Sequence, residues 1–474
     1  MTKSKLIIKL FSSGLQALSV QVLGSIFFYI VSVYISKDDF AIISWTNAVS
    51  IFITTILGVG LEQVVIRRIA ASQRSDWAAA AYFTHSFIGF GATFVFLLLV
   101  EKITGSKSEL YNNLPWFFLA QGLIFTALPL KQFLNAKERF APYGVISIIS
   151  NIGKIAAALL LVKNGQLYLN TVLIILICTS AIELISLLVF VLTKTCLSFR
   201  FRFSAYTRLV KESLAQYIAV IFDISLSRMD WILLGIMATG SVLADYSFAY
   251  RAYELARLPM LIIAPIILPR FSKLLSINNK VDIEYEIYIQ SFNRSEQFLA
   301  AGIPLVLNII WSPLLQILTK GKYGESNSAE FLILSLCIPL QFFMNLLWSL
   351  AFGAKKYKSV SLITVACAVT NIFLNVALIP KFGGAGAATA FFATTILQAG
   401  LYFRLVRNEI IKLSLLPNLL FIADAALCYL LTSMLHIHFL LQLTAAVALY
   451  LLTAVFTGLI SKQHVRNFKY LLAE

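Results

Sequence analysis

Apolar stretches of about 20 residues, each long enough to cross a bilayer as a helix, follow one another from Phe11 to Ile460. That succession constrains the chain more than any motif in it. Inside the hydrocarbon every backbone N–H and C=O needs a partner within the protein, so spans of this kind are helical. With 59% hydrophobic and 13% charged residues over 474 positions, the chain has too little polar surface to solvate a soluble body of its size. An all-α polytopic membrane protein is expected. The first apolar run is itself a span, and no small-residue cleavage pattern follows a short apolar core, so no removable leader is expected.

Fourteen transmembrane helices are predicted, at 11–35, 41–60, 78–100, 114–134, 143–162, 170–192, 214–239, 243–268, 296–319, 330–353, 360–379, 386–406, 417–436 and 438–460. With these spans, 27 of the 38 Lys and Arg residues fall on the side of the N-terminus, Lys131 among them, and 7 fall on the other side. The remaining four, Lys154, Arg228, Arg251 and Arg257, lie inside spans. The positive-inside rule then puts both termini in the cytoplasm. It also explains the net charge of +16 as a topology signal spread over short loops, so no nucleic-acid partner is expected. Five cysteines without a CxxC pair and four scattered histidines predict no metal site and no cofactor.

The connection near 194–213, "KTCLSFRFRFSAYTRLVKE", is basic and aromatic and reads as an amphipathic interfacial linker. It divides the chain into an N-terminal lobe of six spans (1–198), the linker (199–213), a second lobe of six spans (214–410), and a final helix pair with its tail (411–474). The lobes echo each other: "NAKERF" follows span 4 and "GAKKYK" follows span 10, and Asn151 in span 5 matches Asn371 in span 11. Six spans per repeat is an even number. Both lobes therefore enter from the same side, as parallel repeats related by a pseudo-two-fold along the membrane normal, with a substrate path between them.

The segment 371–390, "NIFLNVALIPKFGGAGAATA", reads as a tight helical hairpin at the outer surface. Pro380 ends one span, glycines turn the chain, and Gly386 with its flanking alanines allows close packing. Asn371 and Asn375 share one face and suit bonds across helices.

This hairpin resembles that of the polysaccharide transporters in the multidrug/oligosaccharidyl-lipid/polysaccharide (MOP) exporter superfamily. "GVGLEQVVIRRIA" (58–70), "SRMDWILLG" (227–235) and "LADYSFAYRAYELARLPMLIIAPIILPRFSKL" (243–274) resemble the same family's spans 2, 7 and 8. The resemblance runs the length of the chain and is closest to the Wzx-type flippases. It implies a non-enzymatic bacterial inner-membrane protein that moves undecaprenyl-diphosphate-linked oligosaccharide, the repeat unit of O-antigen or capsule, across the bilayer. Implied partners are membrane lipids, a polysaccharide polymerase and chain-length regulator, and H+ or Na+ as coupling ion. The rival readings are a cation-coupled multidrug exporter, a lipid II flippase, and a membrane-embedded glycosyltransferase or polymerase. Short outer loops count against the last of these.

Charges inside spans cost about 2.5–3.5 kcal/mol each on insertion scales, so they pair or face water. The acidic candidates for ion coupling or charge pairing are Glu183, Asp223, Asp230 and Glu254. At about 1.5 Å per residue, Lys154 comes out level with Glu183, Asp223 with Arg257, and Asp230 with Arg251. The substrate-binding candidates are Arg251 first, then Lys154, Arg257 and Arg228, because a guanidinium fork suits a diphosphate. Polar stripes containing Gln16 in span 1 and Asn47 and Ser50 in span 2 are candidate cavity walls.

Overall fold

The structure, a computed structural model, describes residues 3–72, 76–104, 109–195, 197, 201–260, 271, 283–461, 463–464 and 466. Side chains are described from Ser19 onward, except at Thr104, Ala215 and 283–285. The elements in chain order are α1 (Lys3–Tyr34), α2 (Lys37–Leu57), α3 (Leu61–Ala71), α4 (Trp77–Thr104), α5 (Glu109–Ala136), α6 (Phe140–Lys163), α7 (Leu169–Lys194), α8 (Phe203–Met237), α9 (Gly240–Ala256), α10 (Ile283–Leu318), α11 (Ser328–Gly353), α12 (Tyr357–Glu409), α13 (Leu416–Ser433) and α14 (Phe439–Phe456). Ten are long and apolar enough to cross a membrane, and the 53-residue α12 is two spans in one. Thirteen of the fourteen expected spans begin on helix and the last begins at the N-cap His438; the part of span 8 after Met260 lies outside the described residues. Exposed Phe87, Phe96, Ile149, Ile185, Phe373 and Phe456 leave broad apolar faces on α4, α6, α7, α12 and α14. Those faces suit lipid contact, since hydrocarbon tails are as apolar as the side chains.

The helices form two compact units, Met1–Ala244 and Asp245–Glu474. In the first, α8 packs on α2. The Trp45 indole N–H donates to the Ile232 carbonyl at 3.1 Å. Its ring fills the space beside Gly235, where a Cβ would lie 1.9 Å from Trp45 Cδ1. From Phe203 onward the basic, aromatic segment is not a separate surface helix but the opening turns of α8. Two contacts fix those turns: Tyr206 Oη lies 2.7 Å from His85 Nδ1, and Arg68 forms an ion pair with Glu212. Arg68 belongs to α3, whose Glu62 accepts a hydrogen bond from Gln132 of α5. The motif at 58–70 is thus a clamp that ties α3 to α5 and α8. Leu61, Val65, Tyr82, Phe133, Val191 and Leu209 close the core beneath it.

In the second unit, α12 contains the expected hairpin. Gly383 has φ 55° and ψ −129°, a conformation for which only glycine has no steric penalty. The arms then run side by side so closely that a Cβ on Gly386 would lie 2.4 Å from the Leu378 carbonyl oxygen. Asn371 donates across the arms to Thr394 Oγ1 at 3.4 Å, while Asn375 bonds back to Asn371 Oδ1 at 3.0 Å on its own arm. The terminal pair α13–α14 docks on α10. Tyr450 stacks on Phe298 and donates to its carbonyl at 2.9 Å, and Asn293 donates to Asn418 at 2.8 Å.

Candidate substrate-binding clusters

Each unit holds a small group of ionisable side chains in its interior. In the first, α5, α6 and α7 converge on Glu183. Lys131 of α5 lies 2.6 Å from Glu183 Oε1, and Ser147 of α6 donates to the same oxygen at 2.7 Å. The pair is largely desolvated, with side chains 22% and 7% exposed. Two turns beyond Ser147 on α6, Lys154 is within electrostatic reach of both Glu183 and Lys131. Among the described residues it forms no ion pair within 4.0 Å. The sequence pairs Lys154 with Glu183 and counts Lys131, at the cytoplasmic end of the predicted span 114–134, with the cytoplasmic residues. The structure reverses those roles, because α5 continues to Ala136 and carries Lys131 in along its own face. Asn151 is buried and donates to the Ser147 carbonyl at 2.8 Å.

The second unit repeats the arrangement with arginines. Arg251 Nη1 lies 2.7 Å from Glu254 Oε2, one turn along α9. The sequence levelled Arg251 with Asp230, a residue of the first unit; within its own unit, Arg251 pairs with its helix neighbour. Arg257 sits over the Tyr253 ring at 4.7 Å and donates to Gln341 Oε1 of α11 at 3.4 Å. It is within electrostatic reach of Glu254, yet it too forms no ion pair among the described residues. Tyr253 is fully buried and meets Phe391 of α12 edge-on at 5.7 Å, which makes the wall behind Arg257 aromatic.

Arg228, Asp230, Asp223, Ser50 and Asn47 all belong to the first unit. Arg228 lies over the Trp231 ring at 4.9 Å. Asp230 is enclosed and accepts from the Trp231 backbone N–H at 2.9 Å, whereas Asp223 is exposed. Ser50 is completely enclosed, so it lines no open wall, and Asn47 is half-buried. The side chain of Gln16 lies outside the described residues. Outside the membrane spans, the hydrogen bond from Arg68 holds the Glu212 carboxyl below the usual carboxylate range.

Sequence reasoning missed Lys131, Gln341 and Glu296. Glu296 opens the predicted ninth span, which placed it at a membrane boundary. The helix begins at Ile283, so Glu296 lies well inside α10 and is fully buried.

The profile of a protein family described as "Polysaccharide biosynthesis protein" matches residues 7–275, more than half of the chain. The chain belongs to that family. No curated protein sequence matches this family member. Its fold is shared with solved transporters. A structure titled "Lipid II flippase MurJ, inward closed conformation" superposes with TM-score 0.77 at 15% identity, over 94% of this chain and 98% of that one. A multidrug resistance MATE family transporter of the MOP superfamily, inward-facing, gives TM-score 0.66 at 13% identity over 83% and 97%. A MOP superfamily transporter from Pyrococcus furiosus gives 0.59 at 10% identity over 85% and 96%. At these identities the likeness is one of fold. It places this polysaccharide biosynthesis protein on a MOP-type helical scaffold.

Proposed function

We propose that the protein is a flippase that carries a lipid-linked oligosaccharide, joined through a diphosphate to a polyisoprenoid, from the cytoplasmic to the outer leaflet of a bacterial inner membrane. The observation that carries this reading is one half-buried cation in each unit, Lys154 and Arg257, with no ion-pair partner among the described residues, on a scaffold of the polysaccharide biosynthesis family. A structural ion pair needs no spare cation. A diphosphate supplies the missing anionic partners. Lys154 offers a point charge, and Arg257 offers a planar fork steadied on Tyr253. Arg251 and Lys131 hold the local carboxylates in place. The apolar outer faces leave the isoprenoid tail in lipid while the headgroup passes through the polar interior.

On this reading both termini are cytoplasmic, and a polysaccharide polymerase with its chain-length regulator takes the product on the outer side. No reaction on the substrate is needed, so the protein is not an enzyme. Moving two negative charges outward, down the electrical gradient of an inside-negative potential, gains about 2.3 kcal/mol per charge per 100 mV.

Deletion of the gene tests the reading. Lipid-linked repeat units should remain on the cytoplasmic leaflet, and surface polysaccharide should disappear. An unchanged surface polymer in a strain with no second flippase overturns it. Accumulation of lipid II instead would assign the substrate to cell-wall precursor.

A further inference from the structure

Glu296 has no role in either cluster, and its surroundings are unusual. Its side chain is completely enclosed in α10, and neither carboxyl oxygen has a hydrogen-bond partner among the described residues. Its helix neighbours do not help it. Asn293 spends its amide N–H on Asn418 of α13 at 2.8 Å, and Gln297 spends its own on the Pro339 carbonyl of α11 at 3.1 Å. The side-chain oxygens of both are also buried without a partner. These positions fall within an arc of about 100° of the helix. Four acceptor oxygens therefore occupy a short arc with no donor among them.

The charged and titratable groups on the packed helices are engaged elsewhere or lie on other faces. On α10, Arg294 is two positions away and points to the opposite side, and Glu286 accepts from Gln290. On α11, Glu330 lies against the Gly384 turn, and Cys337 is within electrostatic reach of Arg257. On α13, Asp424 accepts from Thr453 of α14 and from Cys428; Tyr450 of α14 donates to Phe298. Among the described residues, none forms an ion pair or hydrogen bond with the Glu296 carboxyl.

An enclosed, unpaired carboxylate costs several kcal/mol even after relaxation. A neutral carboxyl removes that cost and adds an O–H donor where Glu296 itself otherwise offers only acceptors. We propose that Glu296 is a proton-binding site, loaded in this conformation and unloaded in another, that couples inward proton movement to export. The proposal rests on the exporter reading for its cargo but not for its chemistry. The link to motion is local. Pro339 interrupts α11 where Gln297 holds it, because proline lacks the N–H that an unbroken helix needs. Loss of the proton leaves a carboxylate beside that gap in the helical hydrogen bonding, and hydration of the charge favours a conformation in which α10 and α11 part to admit water. No bond other than O–H is made or broken.

Dicyclohexylcarbodiimide, which modifies protonated carboxyls in apolar surroundings, tests the site in full-length protein reconstituted in liposomes. Mass spectrometry should find Glu296 modified at pH 7.5, with the same extent in sodium and in choline. An unmodified Glu296 overturns the proposal, and protection by sodium alone reassigns the oxygens to a metal cation. Glu296→Gln keeps the shape of the neutral acid and cannot release a proton. It should elute and melt like the native protein yet lower surface polysaccharide at least tenfold. Native polymer levels in that variant would also overturn the proposal. Labelling needs no cargo, so failure of the flippase reading in the deletion strain leaves the labelling result to stand or fall by itself.

Discussion

Lys154→Met should make the protein more stable and abolish its function. The ammonium sits within the first unit near one carboxylate already taken by Lys131. Burial is the largest electrostatic effect on it, ahead of the pull of Glu183. The attraction of Glu183 and the repulsion of Lys131 oppose each other. What remains is the cost of holding a charge in a span, about 2.5–3.5 kcal/mol on insertion scales. Because the side chain is half-buried, roughly half of that applies, or about 1–2 kcal/mol. Methionine fills a similar volume without the charge. For a body the size of the first unit, a gain of 1 kcal/mol raises the melting temperature by about 2–4 °C. Heating purified protein and measuring the surviving monomer by size-exclusion chromatography reads the shift, and surface polymer reads the function. Glu183→Gln is the control of opposite sign: it leaves two lysines facing each other, and breaking a buried pair from one side costs about 3–5 kcal/mol. A Lys154→Met protein that melts lower than native would show that the lysine holds the fold together. Undiminished export would show that it does not hold the substrate. Either result sinks the argument.

Arg257→Lys should retain only part of the export of the native protein and Arg257→Ala none, because an ammonium keeps the charge but loses both the fork and the stacked face on Tyr253; equal export by the two variants would refute this. Gly386→Ala should cost about 1–3 kcal/mol by driving a methyl into the Leu378 carbonyl. Gly384→Ala should cost far less, since its methyl meets only the movable end of Glu330, so the two melting temperatures should separate clearly. The Arg68–Glu212 pair contributes stability above the ordinary carboxylate pKa, about 4.3, and loses it as pH falls through the lowered value. Glu212→Gln should therefore melt below native protein at pH 7 and together with it in strong acid.

Periodicity and glycine chemistry made the fold legible. The hairpin at 371–390 could be read because a proline, two glycines and a run of alanines are local signals, and the closeness of Gly386 to Leu378 follows from them. The ion pairs were less accessible. Depth along a helix can be counted from sequence, but azimuth relative to a neighbour cannot. Lys154 and Glu183 came out level, yet α5 presents Lys131 to the carboxylate. A boundary error hid Glu296: charges at 284, 286 and 294 lower the hydropathy of the first turns of α10, so the span seemed to begin where the helix is already buried. The Arg251–Glu254 pair forms within one helix because three residues bring the two side chains together at no cost in tertiary placement.

The two clusters obey one rule. In each unit a carboxylate is bound to one cation, Lys131 or Arg251, and lies within electrostatic reach of a second, Lys154 or Arg257. On the proposed flippase reading, two cations sharing one anion attract the phosphate of the substrate without requiring it. When the phosphate is absent, the carboxylate screens the second cation and limits the cost of keeping it buried. When the phosphate arrives, it competes with that carboxylate, so part of its binding energy is offset by the interaction it displaces. A site with two free arginines would hold a diphosphate more tightly and release it more slowly. An exporter must load and unload the same group once per cycle, and a resident carboxylate that takes back the cation supplies the return step. The sharing also separates the roles of the four basic residues. Removing Lys131 or Arg251 frees the carboxylate to neutralise the second cation outright, so those variants should weaken binding through a residue the substrate need not touch. Removing Lys154 or Arg257 takes away the contact itself.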